Sequence, residues 1–248
     1  MVSALPLDAG RMAWWLSAWL RGDASPDDVL SAVVGGDAAH DVMGLPGQTA
    51  TTPLVLALGP LQRLGARSAG LALPVPGDLC GLGGPRPFNE AALEAGEAVV
   101  LEGTEWGLVP HRAGAGVVWR LLAAHRRPLT DLGEADRSLR TTLVETADTL
   151  VDLEVARWRP EVADELMNLR HVPHHAAPHR TPDAAVDLVG RGLQALAIVD
   201  LALEDVGGAV TAQESMRRED ALRPLERAGR QAVVAACSPE AWPPGKAQ

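Results

Sequence analysis

The chain has 248 residues, of which 47% are hydrophobic and 22% charged. A protein of this length buries about 70–75% of the surface its unfolded form exposes, so it needs neither a disulfide nor a structural metal to fold. The formal net charge of −10 repels phosphate backbones and argues against nucleic-acid binding. Two cysteines, Cys80 and Cys237, exclude a disulfide framework or a cysteine-built zinc site, and they fit a reducing cytoplasm.

Gly10 to Arg21 reads as a helix whose apolar face carries Trp14, Trp15 and Trp19. Its run MAWWLSAWL is far too short to span a bilayer. It follows Asp8 instead of a basic segment, so it is a core helix and not a signal peptide. With phenylalanine and tyrosine nearly missing, tryptophan must fill the core, and this reading is preferred to a dimer surface built on the same rings. Ser25-Pro26-Asp27-Asp28 opens a second helix, with serine at the N-cap, proline at the first helical position and an acid at the third. Gly35-Gly36 ends it, and Ala38 to Met43 reads as a further helical turn.

Pro53 to Arg67 fits either a buried strand or a helix. Gly70 to Val75 reads as a strand leading into a turn at Pro76-Gly77-Asp78, and Asn89 to Ala95 as a short helix. Ala98 to Glu102 and Glu105 to Pro110 form a predicted hairpin about Gly103-Thr104. From Gly114 the pattern turns helical: Gly116 to Arg126, then a long helix from Gly133 to Trp158, then Glu161 to Arg170. Thr181-Pro182-Asp183 starts a helix running to about Asp205, apolar nearly all round in its middle and so central to a bundle. Thr211-Ala212-Gln213-Glu214 is a capping box for the last helical stretch, which Pro224 is expected to kink or split. The expected fold is α+β and predominantly α-helical, a small antiparallel sheet packed against a C-terminal helical bundle. Residues 1–113 form the mixed part with the sheet and 114–242 the bundle, with one shared core as the alternative to two, and 243–248 are a disordered tail.

Several constellations invite a chemical reading. His171, His174, His175 and His179 are the residue type most often found on metals, but Pro173 and Pro178 keep them off one regular face, and a polar loop between helices is the better reading. Gly77, Gly81, Gly83 and Gly84 lie between a strand and a helix, as a phosphate loop does. The Walker lysine is absent, G-x-G-x-x-G is not matched, and Pro85 and Pro87 remove two N–H donors, so a rigid turn is expected there. Cys80 needs a base such as His111 or His125 to act as a nucleophile, and a buried thiol is its ordinary role. Arg217, Arg218, Arg223, Arg227 and Arg230 are interleaved with acids and read as a solvated, ion-paired face. Glu145, Asp148 and Asp152 share a helix face without the histidines that a di-metal bundle requires.

The segments LPVPGD, FNEAALEAGEAVV and WGLVP, with AIVDLALEDVGGAV further on, resemble a conserved protein family of high-GC actinobacteria without established function. The resemblance extends along most of the chain. It implies no activity, cofactor or site residue. A lone lysine, Lys246, and a lone isoleucine, Ile198, are the writing of a GC-rich genome and say nothing of function.

The expectation is therefore an acidic cytoplasmic protein that interacts or regulates without catalysing, with no cofactor and no membrane, joined to a protein partner or to itself as a homodimer. The alternative is an enzyme or small-molecule binder whose pocket lies between the 76–88 loop and the helical half, drawing on Asp78, Cys80, Gly83, Gly84, His111 and Arg112. Convergence of Cys80, His111 and Arg112 would favour that alternative. A loop packed on apolar side chains with no cavity would remove the enzyme.

Overall fold

The computed structural model describes residues 2–126, 129–152, 174–204 and 212–243. In chain order the elements are β1 (Val2–Ser3), α1 (Asp8–Leu20), α2 (Pro26–Val34), β2 (His40–Met43), β3 (Thr52–Pro53), α3 (Leu54–Arg63), β4 (Ser68–Ala72), α4 (Arg86–Ala95), β5 (Ala98–Glu102), β6 (Trp106–Ala113), β7 (Gly116–Ala123), α5 (Leu132–Asp152), β8 (His174–His175), α6 (Asp183–Glu204) and α7 (Ala212–Ala236), followed by a 3-10 turn at Pro239–Ala241. The protein is α+β. Six strands make one sheet in the order β3-β2-β7-β6-β5-β4, and β1 pairs with β8 in a separate two-stranded ribbon. The large sheet is mixed: β2 runs parallel to β7, and every other neighbouring pair is antiparallel.

Local chemistry explains most boundaries. Ser25 and Asp28 form the expected capping box, and Gly35 ends α2 with φ of 54°. The hairpin at 103–104 is present, with Leu101 opposite Trp106. Two expectations are corrected. Residues 38–43 contain the strand β2 in place of a helical turn, and residues 116–123 are the strand β7 in place of the first bundle helix. Val117, Trp119 and Leu121 are buried while Gly116, Val118 and Arg120 are not, which is the two-residue alternation of a strand. Gly114, with φ of 60°, and Ala115 close a two-residue hairpin between Ala113 and Gly116 where the sequence reading places a boundary between halves. The sheet is accordingly larger than expected and not purely antiparallel. α7 runs unbroken through the exposed Pro224, so the expected split does not occur.

The sheet's two faces serve two clusters. Val99 and Leu101 of β5, Leu108 of β6 and Trp119 of β7 join the main core, which continues through Trp14 and Leu16 of α1, Leu58 of α3, Leu139 of α5, Val189 of α6 and Val233 of α7. Ala98, Val100 and Val109 alternate to the other face and meet Phe88 and Ala92 of α4 in a smaller cluster. Trp14 is buried and donates its indole N–H to the Ala236 carbonyl at 3.0 Å. That bond ties the first helix to the end of the last one.

The β4 edge is covered by side chains. Ser17 Oγ donates to the Ala69 carbonyl at 2.9 Å and accepts from the Ala69 N–H at 2.8 Å. Ser238 Oγ accepts the Leu71 N–H at 3.1 Å, and Arg126 donates to both Ser238 Oγ and the Leu71 carbonyl. These groups take the place of a further strand and leave that edge closed to pairing with another chain.

Candidate functional site

The turn after β4 carries the candidate site. The Val75 and Asp78 backbones bond to each other at 2.9 Å in both directions, which presents Asp78 at the tip. Gly81, with φ of 83°, then returns the loop against β4, where a Cβ would stand 2.8 Å from the Ala72 Cα. The tip reaches α7. Arg230 Nη2 donates to Asp78 Oδ2 at 3.1 Å, Arg230 Nη1 pairs with Glu226, and Arg227 Nε lies 3.7 Å from the same Asp78 oxygen. Arg230 is buried, its side chain 7% exposed, and its Nε donor has no acceptor among the described residues. A buried guanidinium is tolerated only when paired, and here the loop and its own helix each supply a carboxylate.

Around this contact is a cleft of about 680 Å³. Its walls are Val75 to Asp78 from the loop, Ser138 and Thr142 from α5, and Asp220, Arg223, Pro224, Glu226, Arg227, Arg230 and Gln231 from α7. Ser138 and Thr142 are one helical turn apart, and Arg223, Arg227 and Arg230 follow one another at four and three residues, so each set lies along one face of its helix. The lining offers guanidiniums, carboxylates, hydroxyls and an amide but neither an imidazole nor a thiol. Pro224 has no N–H for the Asp220 carbonyl one turn back.

The residues singled out in the sequence are distributed unevenly. Asp78 lines this cleft, and buried Cys80 lies beside it in a smaller recess with Asp78, Arg227 and Gln231. Gly83 is exposed, and the Gly84 N–H donates to Asn89 Oδ1 at 3.1 Å while its carbonyl accepts the His125 N–H at 2.6 Å. Those bonds fix the start of α4 and leave Gly84 no part in the cleft lining. His111 and Arg112 line a different groove, about 290 Å³, with Glu94 and Arg120. Cys80 therefore does not converge with them in one pocket. On β8, His174 is exposed and His175 is buried beside Ser3 Oγ at 3.3 Å, so successive imidazoles face opposite ways. His179 is exposed in the following turn, and His171 lies outside the described residues. Among the described residues no group of three or more His, Cys, Asp or Glu is placed to hold a metal ion. Arg223, Arg227 and Arg230 escaped the sequence reading as site residues because acids are interleaved with them. The signal was their spacing along one face.

Arg112 belongs to a second polar assembly. Its Nη1 donates to Asp37 Oδ1 and its Nη2 to Asp8 Oδ2, both at 2.6 Å. Asp37 Oδ2 lies 2.9 Å from His40 Nε2, and Trp119 Nε1 lies 3.1 Å from His40 Nδ1. An indole N–H only donates, so His40 Nδ1 is the acceptor and Nε2 carries the proton given to Asp37. Hydrogen bonds from His40 and Arg112 hold the Asp37 carboxyl below its usual range. Asp8 also pairs with Arg11, and Glu97 accepts the Asp8 and Ala9 N–H groups at the start of α1. Burial pushes the Glu97 carboxyl up to about 7, against the pull of those N–H bonds. With its members bonded mainly to one another, this assembly ties α1 to β2, β6 and β7.

A model of the N-terminal domain of Rv1486c-like proteins matches residues 9–132, and a model of their C-terminal domain matches residues 133–234. The two meet at the start of α5, which leaves the whole six-stranded sheet in the first. The uncharacterized protein Rv1486c of Mycobacterium tuberculosis is 30% identical over 92% of this chain and 96% of its own length. An uncharacterized protein of Mycobacterium leprae is 28% identical over 92% and 96%, and one of Mycobacterium avium 27% identical over 93% and 97%. No solved structure matches. The chain belongs to the Rv1486c-like family.

Proposed function

We propose that this member of the Rv1486c-like family is a non-catalytic binding protein that takes a small polar molecule into the cleft between residues 75–78 and the helices α5 and α7, and that it acts in regulation. The observation that carries this reading is the cleft itself: about 680 Å³, with polar groups from a turn of the sheet layer and from two helices. This volume is within the range of about 300–1,000 Å³ usual for small-molecule sites. The arginines of the lining are matched by the carboxylates Asp78, Asp220 and Glu226, and those of Asp78 and Glu226 are paired with Arg230, which supports a holding role for them. Occupancy would bear on the Asp78–Arg230 contact, a largely buried ionic tie between that turn and α7. Buried thiols at Cys80 and Cys237 support a cytoplasmic setting.

Native mass spectrometry of the gently purified protein, followed by thermal-shift screening of a metabolite library, tests the reading. We expect a bound small molecule, or a compound that raises the unfolding midpoint saturably. The substitution Ser138→Trp, which fills the cleft from α5, should abolish the shift. A library without a saturable binder would remove the proposal.

Self-association is a second reading, favoured by a separate observation. Leu56 and Val55 of α3 are 64% and 39% exposed, and Met43 of neighbouring β2 is 41% exposed, beside the short edge strand β3. Leu56→Glu should convert a dimer to a monomer in sedimentation velocity, and a parent that sediments as a monomer at high micromolar concentration would remove this reading.

A further inference from the structure

From the donor geometry of α7 we infer that the ligand of this cleft carries a terminal oxyanion, a carboxylate or a phosphate on a small polyhydroxylated body, seated on Arg223, Arg227 and Arg230. This inference rests on the binding reading above and adds the chemical class. Three observations support it. The first is the Arg230 Nε donor: the side chain is 7% exposed, its other two nitrogens are engaged by Glu226 and Asp78, and Nε has no acceptor among the described residues. A buried N–H without a partner is costly, and an acceptor brought against it from the cleft by a small shift of the side chain would remove that cost. The second is Arg227, a lining residue that stands beside the turn without a close bond to it. Arg227 Nε lies 3.7 Å from Asp78 Oδ2, beyond hydrogen-bond distance, and its side chain stays 63% exposed. Arg223 is 70% exposed and meets the equally exposed Asp220 at 3.3 Å, a surface pair that a ligand displaces at little cost.

The third is the match of shape and chemistry. Guanidinium forks hold carboxylate and phosphate oxygens in pairs, which gives orientation as well as charge. The three carboxylates of the lining, Asp78, Asp220 and Glu226, balance the three arginines, so net charge alone does not select an anion. What selects it is that Arg227 lies beyond hydrogen-bond distance of Asp78 and Arg223 is held only by a surface pair, so both have donors for an anion in the cleft. About 680 Å³ is far more room than a bare inorganic anion fills, and Ser138 and Thr142 line it from the α5 side. Those hydroxyls suit a body bearing hydroxyls of its own.

The experiment compares three probes with one carbon skeleton at constant ionic strength: gluconate, glucose 6-phosphate and glucose, titrated into the full chain by calorimetry. We expect saturable binding of gluconate, glucose 6-phosphate or both, at least tenfold tighter than glucose, and the preferred probe tells carboxylate from phosphate. Arg223→Gln with Arg227→Gln should weaken that binding at least fivefold, whereas the charge-matched Arg67→Gln with Arg86→Gln, on residues 74% and 88% exposed outside the cleft, should leave it within twofold. Both pairs are exposed, so an unchanged thermal midpoint verifies folding. Glucose bound as tightly as the anions, or equal loss in both double variants, would overturn the oxyanion while leaving the cleft a binding site. Failure of all three probes also overturns it, and the library screen then decides the broader reading separately.

Discussion

Ser17 gives the edge strand β4 what a neighbouring strand would have given it. Its hydroxyl both donates to and accepts from Ala69 in a buried setting, so Ser17→Ala leaves an N–H and a C=O without partners. We expect a loss of about 1–3 kcal/mol in urea unfolding, with Ser17→Thr recovering part of it. Glu97 makes a prediction of opposite character. Its carboxyl is raised from 4.5 to about 7 by burial, so its contribution to stability is full below about 4.5 and is lost as pH rises through about 7. His175 works the other way, because burial holds its pKa down and its contribution is lost as pH falls. Comparing the parent with Glu97→Gln isolates the carboxyl. Between pH 5 and pH 8 the parent should lose about 2–3 kcal/mol more than the variant, and parallel pH profiles would refute the burial argument. Neither role was legible in the sequence. A serine in an apolar helix and a glutamate after Gly96 are ordinary residues until the chain shows what stands opposite them.

At the scale of elements, α6 and α7 owe their close approach to two glycines. A Cβ on Gly192 would stand 2.7 Å from Val233 Cγ2, and one on Gly229 would stand 3.1 Å from Leu196 Cδ2. Gly192→Leu should force the helices apart and cost about 1–3 kcal/mol, read as a lower midpoint in thermal unfolding with helical circular dichroism retained at low temperature. Helices whose ends carry strong local signals were read correctly, α2 with its capping box above all. The sequence reads as helix at β2 and β7 because their length and composition do not distinguish the two states. Their state is decided by neighbours: β7 lies between β6 and β2 and is hydrogen-bonded along both sides. Pro224 went the other way. Its position on the exposed face of α7 lets the helix continue, whereas the sequence rule assumes a proline in an ordinary helix interior.

For the molecule as a whole, the Asp78–Arg230 pair joins a turn of the sheet layer to the last helix. Asp78→Ala would leave the buried guanidinium with Glu226 alone, at a cost of about 3 kcal/mol. Hydrogen exchange should rise at residues 75–82 ahead of the sheet, and unchanged protection there would show that the pair does not hold the turn. From its sequence alone this protein was already an acidic α+β chain, with helices placed by caps and a hairpin by its turn, and with the loop at 76–88 marked as the place to look for a site. Those features are local, written in neighbouring residues that hydrogen-bond to one another. The tertiary structure alone decided the rest: that 116–123 joins the sheet, that His111 and Arg112 face a different groove from Cys80, and that arginines some 150 residues beyond the loop line its cleft. Such pairings depend on which surfaces a chain buries together, and no spacing within a segment encodes that.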